Sequence, residues 1–277
     1  MNKKEVDLYK YFGVAKQDGA RGFLTCYTLD DYPFCEGRIR PAMLVVGGGG
    51  YAFVSEREQE PIALQYSAKG FQTFILEYSV APLCYPTQLI EACMAVAYIR
   101  ENAKDLSVDK EHICAIGFSA GGHLCGTLAT LYDSKDVLSA FGERKVDCRP
   151  DAVILSYPVL SAYGKIHQGS IEKVTGGNEE IRKIMDVPSM VNENTPPAFI
   201  WATSTDAGVP VESSLLMALA YRKFDIPVEL HVFENGIHGL STATKEVNTN
   251  HPPVQSWINL SVAWLENKGF VIKNKGE

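Results

Sequence analysis

A serine set among glycines, Gly117-Phe118-Ser119-Ala120-Gly121-Gly122, constrains the fold more than any other stretch of this chain. It follows the apolar run His112-Ile113-Cys114-Ala115-Ile116 and precedes a stretch of small and apolar residues at 124–131. The first reads as a buried strand and the second as a closely packed helix. G-x-S-x-G between a strand and a helix predicts a turn so tight that Ser119 must adopt a strained backbone. Side chains at positions 117 and 121 would collide with the neighbouring elements, so both must be small. The turn lifts the Ser119 hydroxyl above the sheet edge. It also sets it at a helix N-terminus, where free N–H groups favour developing negative charge. The same residues would serve an ordinary strand-to-helix turn with Ser119 as N-cap. A glycine run, an acid and a base elsewhere in the chain bear on the choice.

Short apolar runs alternate with longer amphipathic stretches, which predicts an α/β architecture: a mainly parallel sheet with helices on both faces. Strands are expected at 24–28, 43–46, 73–78, 113–116, 152–156, 198–202 and 228–233. Helices are expected at 88–102, 120–131, 211–224 and 254–268. No linker divides the 277 residues, so the expectation is one domain spanning 1–277. One stretch breaks the alternation: 161–197 is rich in Gly, Asn, Glu and Lys, with a short helical pattern near 179–185. A connection of that length is a lid or binding insertion, or else a plain surface excursion.

A net charge of −7 argues against nucleic acid or anionic membranes as partners. No apolar stretch is long enough to span a bilayer, and no apolar segment follows the polar N-terminus as a secretory signal would. The seven cysteines, Cys26, Cys35, Cys84, Cys93, Cys114, Cys125 and Cys148, are scattered and form no C-x-x-C pair. Cys93, Cys114 and Cys125 sit in apolar patterns and read as core residues. Together these features predict a cytoplasmic protein. No His/Cys/Asp set has ligand spacing, so neither metal nor cofactor is expected.

Three further features complete a catalytic pattern around Ser119. Gly47-Gly48-Gly49-Gly50-Tyr51 follows the strand at 43–46 and lets backbone approach a ligand closely. An N–H of Gly48 or Gly49, joined by that of Ala120, would form an oxyanion hole. Phosphate binding is a poor alternative, because no G-K-[ST] follows and the glycines are not spaced G-x-G-x-x-G. Tyr51, at the end of the run, is expected to face the substrate. Asp206 lies just past the strand at 198–202 and suits the acid, although an aspartate there could also serve only the turn. Asp151 and Asp225 fall away from the expected carboxyl edge of the sheet. His238 follows the strand at 228–233 in a glycine-bearing loop and suits the base. Among the other histidines, His112 and His231 belong to strands, and His167 and His251 to loops or helix entries. His123 is placed to brace the first helix turn. The order Ser119, Asp206, His238 is the one this chemistry uses on a strand–turn–helix scaffold.

With these residues in place, the chain resembles the α/β-hydrolase superfamily, and within it the acetyl-xylan and feruloyl carbohydrate-esterase branch. The stretches that carry the resemblance run through most of the chain. They include Gly48-Gly49-Gly50-Tyr51, Ser55-Glu56-Arg57-Glu58, Gly117-Phe118-Ser119-Ala120-Gly121-Gly122-His123-Leu124, Tyr157-Pro158-Val159, Trp201 with Asp206, and His238-Gly239-Leu240. The resemblance implies a serine esterase acting on small acyl esters, typically acetyl on sugar hydroxyls, and a homodimer is among the assemblies to expect. Gly47 departs from the pattern, where relatives usually carry Pro or His; a looser glycine turn or a different neighbour would follow. Two other readings stand beside it. One is an amide or peptide hydrolase, such as an arylformamidase- or peptidase-like enzyme, since the same triad cleaves both bonds. The other is a hydrolase fold that only binds a small molecule.

Overall fold

The computed structural model describes residues 1–32, 34 and 36–274, so Cys35 falls outside the described residues. Among the described residues, eight strands form one sheet: β1 (Asn2–Asp7), β2 (Phe23–Thr28), β3 (Arg40–Val46), β4 (Gln72–Glu77), β5 (Val108–Phe118), β6 (Ala152–Ser156), β7 (Ala198–Thr203) and β8 (Val228–Phe233). Their spatial order is β1-β2-β4-β3-β5-β6-β7-β8. The first two run antiparallel to their neighbours, and β3 to β8 are mutually parallel. The helices are α1 (Leu8–Phe12), α2 (Glu60–Ser67), α3 (Thr87–Glu101), α4 (Ala120–Leu131), α5 (Lys135–Ala140), α6 (Gln168–Thr175), α7 (Glu179–Ile184), α8 (Val187–Met190), α9 (Glu212–Lys223) and α10 (Pro252–Glu266).

The central strands read as unbroken apolar runs because both faces of the sheet are covered. Successive side chains of β3 enter opposite cores. Ala42, Leu44 and Val46 join α3, α4 and α9 on one face. Met43 and Val45 join α2 and α10 on the other. β5 alternates in the same way, with Ile113 and Ala115 on the first face and Cys114, Ile116 and Phe118 on the second. Cys93, Cys114 and Cys125 are fully buried, as their apolar surroundings in the sequence predict.

β1 is the strand that hydrophobic patterning does not reveal. Only Val6 among its six residues is apolar, yet it pairs residue for residue with β2. It lies at the sheet edge, where charged side chains are tolerated and discourage further pairing. β5 also starts earlier than its apolar run, because the polar segment from Val108 still pairs beside Arg40 before the register shifts.

Segment 161–197 forms α6, α7 and α8 rather than one irregular loop. It is tied down at several points. Val187 N–H donates to the Leu160 carbonyl, and Arg182 donates twice to the Ala162 carbonyl. A Cβ on Gly126 of α4 would come within 3.0 Å of Val187, so this helix and the insertion approach closely.

The topology sets the position of the site. From β3 the chain moves outward to β4, then crosses back to β5 on the other side of β3. The loops after β3 and β5 therefore leave the same carboxyl edge side by side, at the point where strand order reverses. The loops after β7 and β8 leave that edge further along.

Trp257 of α10 stacks on Trp201 of β7, with ring centroids 5.0 Å apart and planes at 21°. Both indoles are fully buried, and Trp257 Nε1 donates to the Ser241 carbonyl. Trp257→Ala is expected to cost about 3–5 kcal/mol in urea unfolding. A loss below about 1 kcal/mol would contradict this packing.

Candidate active site

Ser119 sits between β5 and α4 with φ 52° and ψ −115°, a conformation disfavoured for a residue with a side chain. Backbone hydrogen bonds hold it there. Its N–H donates to the Ser156 carbonyl, and its own carbonyl accepts from His123 and Val159. The glycines have steric causes. A Cβ on Gly117 would lie 2.1 Å from the Gly121 carbonyl oxygen, and one on Gly121 would lie 2.3 Å from that of Val46. Neither neighbour can yield, because each is backbone.

The Ser119 hydroxyl makes no capping bond to α4. Its Oγ lies 2.8 Å from His238 Nε2, and His238 Nδ1 lies 2.7 Å from Asp206 Oδ2. These partners assign the protons. An ionised carboxylate only accepts, so Nδ1 carries the imidazole proton and Nε2 accepts from the serine. Asp206 serves its turn as well as the histidine, because Oδ1 accepts the N–H groups of Gly208 and Val209 at 2.8 and 2.9 Å. Burial acts to raise the Asp206 carboxyl, but the bonds from His238, Val209 and Gly208 outweigh it and hold the group below its ordinary value. Asp151 is engaged elsewhere, in an ion pair with Arg100.

The glycine turn after β3 is pinned. Tyr78 donates its hydroxyl to the Gly47 carbonyl at 2.8 Å, and the Gly48 N–H donates to Glu58 Oε2 at 2.7 Å. One peptide unit is thus held at both ends. Its neighbour is held by Ser55, whose N–H donates to the Gly48 carbonyl. The glycine at 47 fits a crowded place, because a Cβ there would lie 2.9 Å from the Ser55 carbonyl oxygen.

Three expectations are corrected here. Gly48 is not a free donor for an oxyanion, since a buried carboxylate takes its N–H; this leaves Gly49 beside Ala120. Tyr51 does not face the cavity. It is 1% exposed, with its side chain in the core and its hydroxyl on His123 Nδ1 at 2.8 Å. His123 is not a brace for its own helix turn either. Its Nε2 donates to the Met185 carbonyl at 2.9 Å, so it links the glycine turn to the insertion. Burial lowers His123 to about 4, which keeps it neutral and lets Nδ1 accept from Tyr51.

A cavity of about 340 Å³ opens above Ser119 and His238, within the range of small-ligand sites. Phe53, Arg57 and Glu58 line one side, and His167 and Lys173 of the insertion line another. Burial and the nearby His238 and Lys173 lower His167. Arg57 and Glu58 belong to a stretch that carries the resemblance and His167 reads as a loop histidine, but none of the five is marked in the sequence as a cavity residue, because a charged or aromatic side chain in a loop has no periodicity to place it. A larger cavity of about 650 Å³ lies over β1 and β2 and meets this one at Arg57, but it does not reach Ser119. The chemistry belongs to the smaller one.

A family model described as BD-FAE matches residues 32–221. Endo-1,4-beta-xylanase B of Butyrivibrio fibrisolvens is 38% identical over 215 residues, covering 75% of this chain and 33% of that protein. Acetylxylan esterase of Xylanibacter ruminicola is 26% identical over 243 residues, covering 85% of this chain and 47% of that protein. The chain thus spans between a third and a half of these curated relatives. A crystal structure of an acetyl ester-xyloside bifunctional hydrolase from Caldicellulosiruptor lactoaceticus superposes with a TM-score of 0.79 at 36% identity, over 90% of this chain and 89% of that one. The architecture is the α/β-hydrolase fold.

Because Asp206 is held below its unfolded value of about 3.9, it stabilises the folded chain above that pH. The contribution is lost as pH falls through the lower, folded value. The stability gap between wild type and Asp206→Asn in urea is therefore expected to narrow from pH 5 toward pH 3. A gap that stays constant would contradict the assignment.

Proposed function

We propose that this chain, which belongs to the BD-FAE family, is a carboxylic ester hydrolase that uses Ser119 as its nucleophile. Its preferred substrates are small acyl esters, acetyl groups on sugar hydroxyls first among them. One observation carries the reading: the unbroken hydrogen-bond chain Ser119–His238–Asp206 at the floor of a small cavity. The acetyl-directed names of two relatives support the substrate class. A volume of about 340 Å³ accords with a small acyl ester rather than a long chain.

The chemistry follows from the proton positions. Ser119 Oγ attacks the acyl carbon while His238 Nε2 takes the hydroxyl proton. Asp206 holds the imidazole in the required tautomer and stabilises the cation that forms. The carbonyl oxygen becomes an oxyanion, received by the N–H groups of Ala120, at the start of α4, and of Gly49. Collapse expels the alcohol, which takes its proton from His238, and leaves the acyl group on Ser119. Water then attacks the acyl carbon while His238 Nε2 takes its proton; the second tetrahedral intermediate collapses, the bond from Ser119 Oγ to the acyl carbon breaks, His238 returns the proton to Oγ, and the acid leaves. The free buried thiols at Cys93, Cys114 and Cys125 support a reducing, cytoplasmic setting.

Hydrolysis of 4-nitrophenyl acetate and of acetylated xylose tests this reading. Ser119→Ala and His238→Ala are each expected to lower kcat by about 10³-fold or more. Equal rates in wild type and Ser119→Ala would refute it. Faster turnover of formylated arylamines or short peptides than of acetyl esters would move the substrate class to amides. Failure of a fluorophosphonate to label Ser119 would favour a binding fold without catalysis.

A further inference from the structure

Glu58 closes a short 3-10 turn after the glycine run, and it is 3% exposed. Among the described residues no lysine, arginine or histidine forms an ion pair with it. A buried carboxyl group that relies on hydrogen bonds alone is costly to desolvate, so its presence beside Ser119 points to a demand other than stability. Its two oxygens are divided between two donors. Oε2 accepts the Gly48 N–H at 2.7 Å, and Oε1 accepts the Tyr157 hydroxyl at 2.6 Å. Both bonds are short, as charge-assisted bonds are.

Each partner leads to one side of the nucleophile. Gly48 packs between Glu58 and Ser119: a Cβ there would lie 2.7 Å from Glu58 Oε2 and 3.0 Å from Ser119 Cβ. Turning this peptide would turn the next one, which carries the Gly49 N–H. On the other side, the Tyr157 oxygen accepts the Ser241 N–H at 2.9 Å, three residues beyond His238. The Tyr157 ring also meets the His238 ring edge-on, with centroids 5.2 Å apart and planes at 75°. Tyr157 is itself held at φ 36°, a backbone position maintained only by its surroundings.

We propose that Glu58 is a positioning residue for the transition state. One carboxylate orients the glycine turn for the oxyanion and, through Tyr157, seats His238 against Ser119. Two acceptor oxygens on one rigid group are what the task needs. Glutamine has the same shape but offers one acceptor and one donor, so it satisfies only one of the two partners well. The proposal rests on the ester-hydrolase reading above.

The test compares wild type, Glu58→Gln and Glu58→Ala, with Ser119→Ala alongside. Three quantities are read: kcat and KM for 4-nitrophenyl acetate, and Ki for a trifluoromethyl ketone that adds to Ser119 and places an oxyanion. Displacing catalytic groups by about 1 Å costs about 10²-fold. Glu58→Ala is therefore expected to lose about 10²-fold in kcat and Glu58→Gln clearly less, with KM within about twofold in both. Ki is expected to rise in step with KM/kcat, a coupling that a purely structural role would not produce. The near-isosteric Glu58→Gln carries the test if the alanine variant fails to fold. Folded variants with kcat within about threefold of wild type, a loss confined to KM, or a Ki that stays fixed while kcat falls would each overturn the proposal. Unchanged turnover in Ser119→Ala would instead overturn the hydrolase reading, so the two failures are told apart.

Discussion

The turn between β5 and α4 is the constraint on which the rest of the site depends. The helix approaches so closely that the Gly117 and Gly121 positions have room only for hydrogen. The residue between them is forced to φ 52°, and backbone bonds to β6 and α4 keep it there. A residue so held cannot relax its hydroxyl into a cap. Its Oγ meets the imidazole instead, while the first N–H of α4 remains unspent by the serine side chain. Strain, the position of the proposed nucleophile and a candidate oxyanion donor thus arise from one steric fact.

The sheet converts that local fact into a site. Parallel strands send all their carboxyl-end loops to the same edge, and the reversal of strand order brings the β3 and β5 loops together. Asp206 and His238, the proposed acid and base, arrive on the loops after β7 and β8. Thr203 and Thr205, in and just after β7, both donate to the Gly236 carbonyl, which ties these two loops to each other. Buried polar links join the remaining pieces: Tyr78 to Gly47, Glu58 to Gly48 and Tyr157, and His123 to Tyr51 and Met185. Each is satisfied at both ends, the condition under which a buried polar network fixes a single arrangement.

Much of this is legible in the amino-acid order. The buried strands announce themselves as apolar runs, and Ser119 and Asp206 each follow one; His238 follows β8, a half-exposed edge strand that alternates apolar and polar residues. What stays hidden has physical reasons. β1 is polar because it lies at an edge, so it carries almost no hydrophobic signal. The insertion is short helices with little periodicity, and its contributions to the cavity, His167 and Lys173, depend on tertiary placement. Tyr51 shows the limit most clearly. Its position beside the glycine run suggests the substrate, yet with φ at 57° its side chain turns inward to a buried histidine. Likewise, four equivalent glycines do not say which N–H is free; that depends on Glu58, ten residues away in the chain.

The most direct measurement of the central chemistry is to trap the covalent intermediate. Enzyme mixed with 4-nitrophenyl acetate, quenched in acid within the first turnover and digested, is read by mass spectrometry for an acetyl group on the peptide that contains Ser119. The mechanism predicts acetylation at Ser119 alone within the first turnover, and none on the same peptide in Ser119→Ala. Product formation with the acetyl group on another side chain, or with no acyl-enzyme at any quench time, would contradict it.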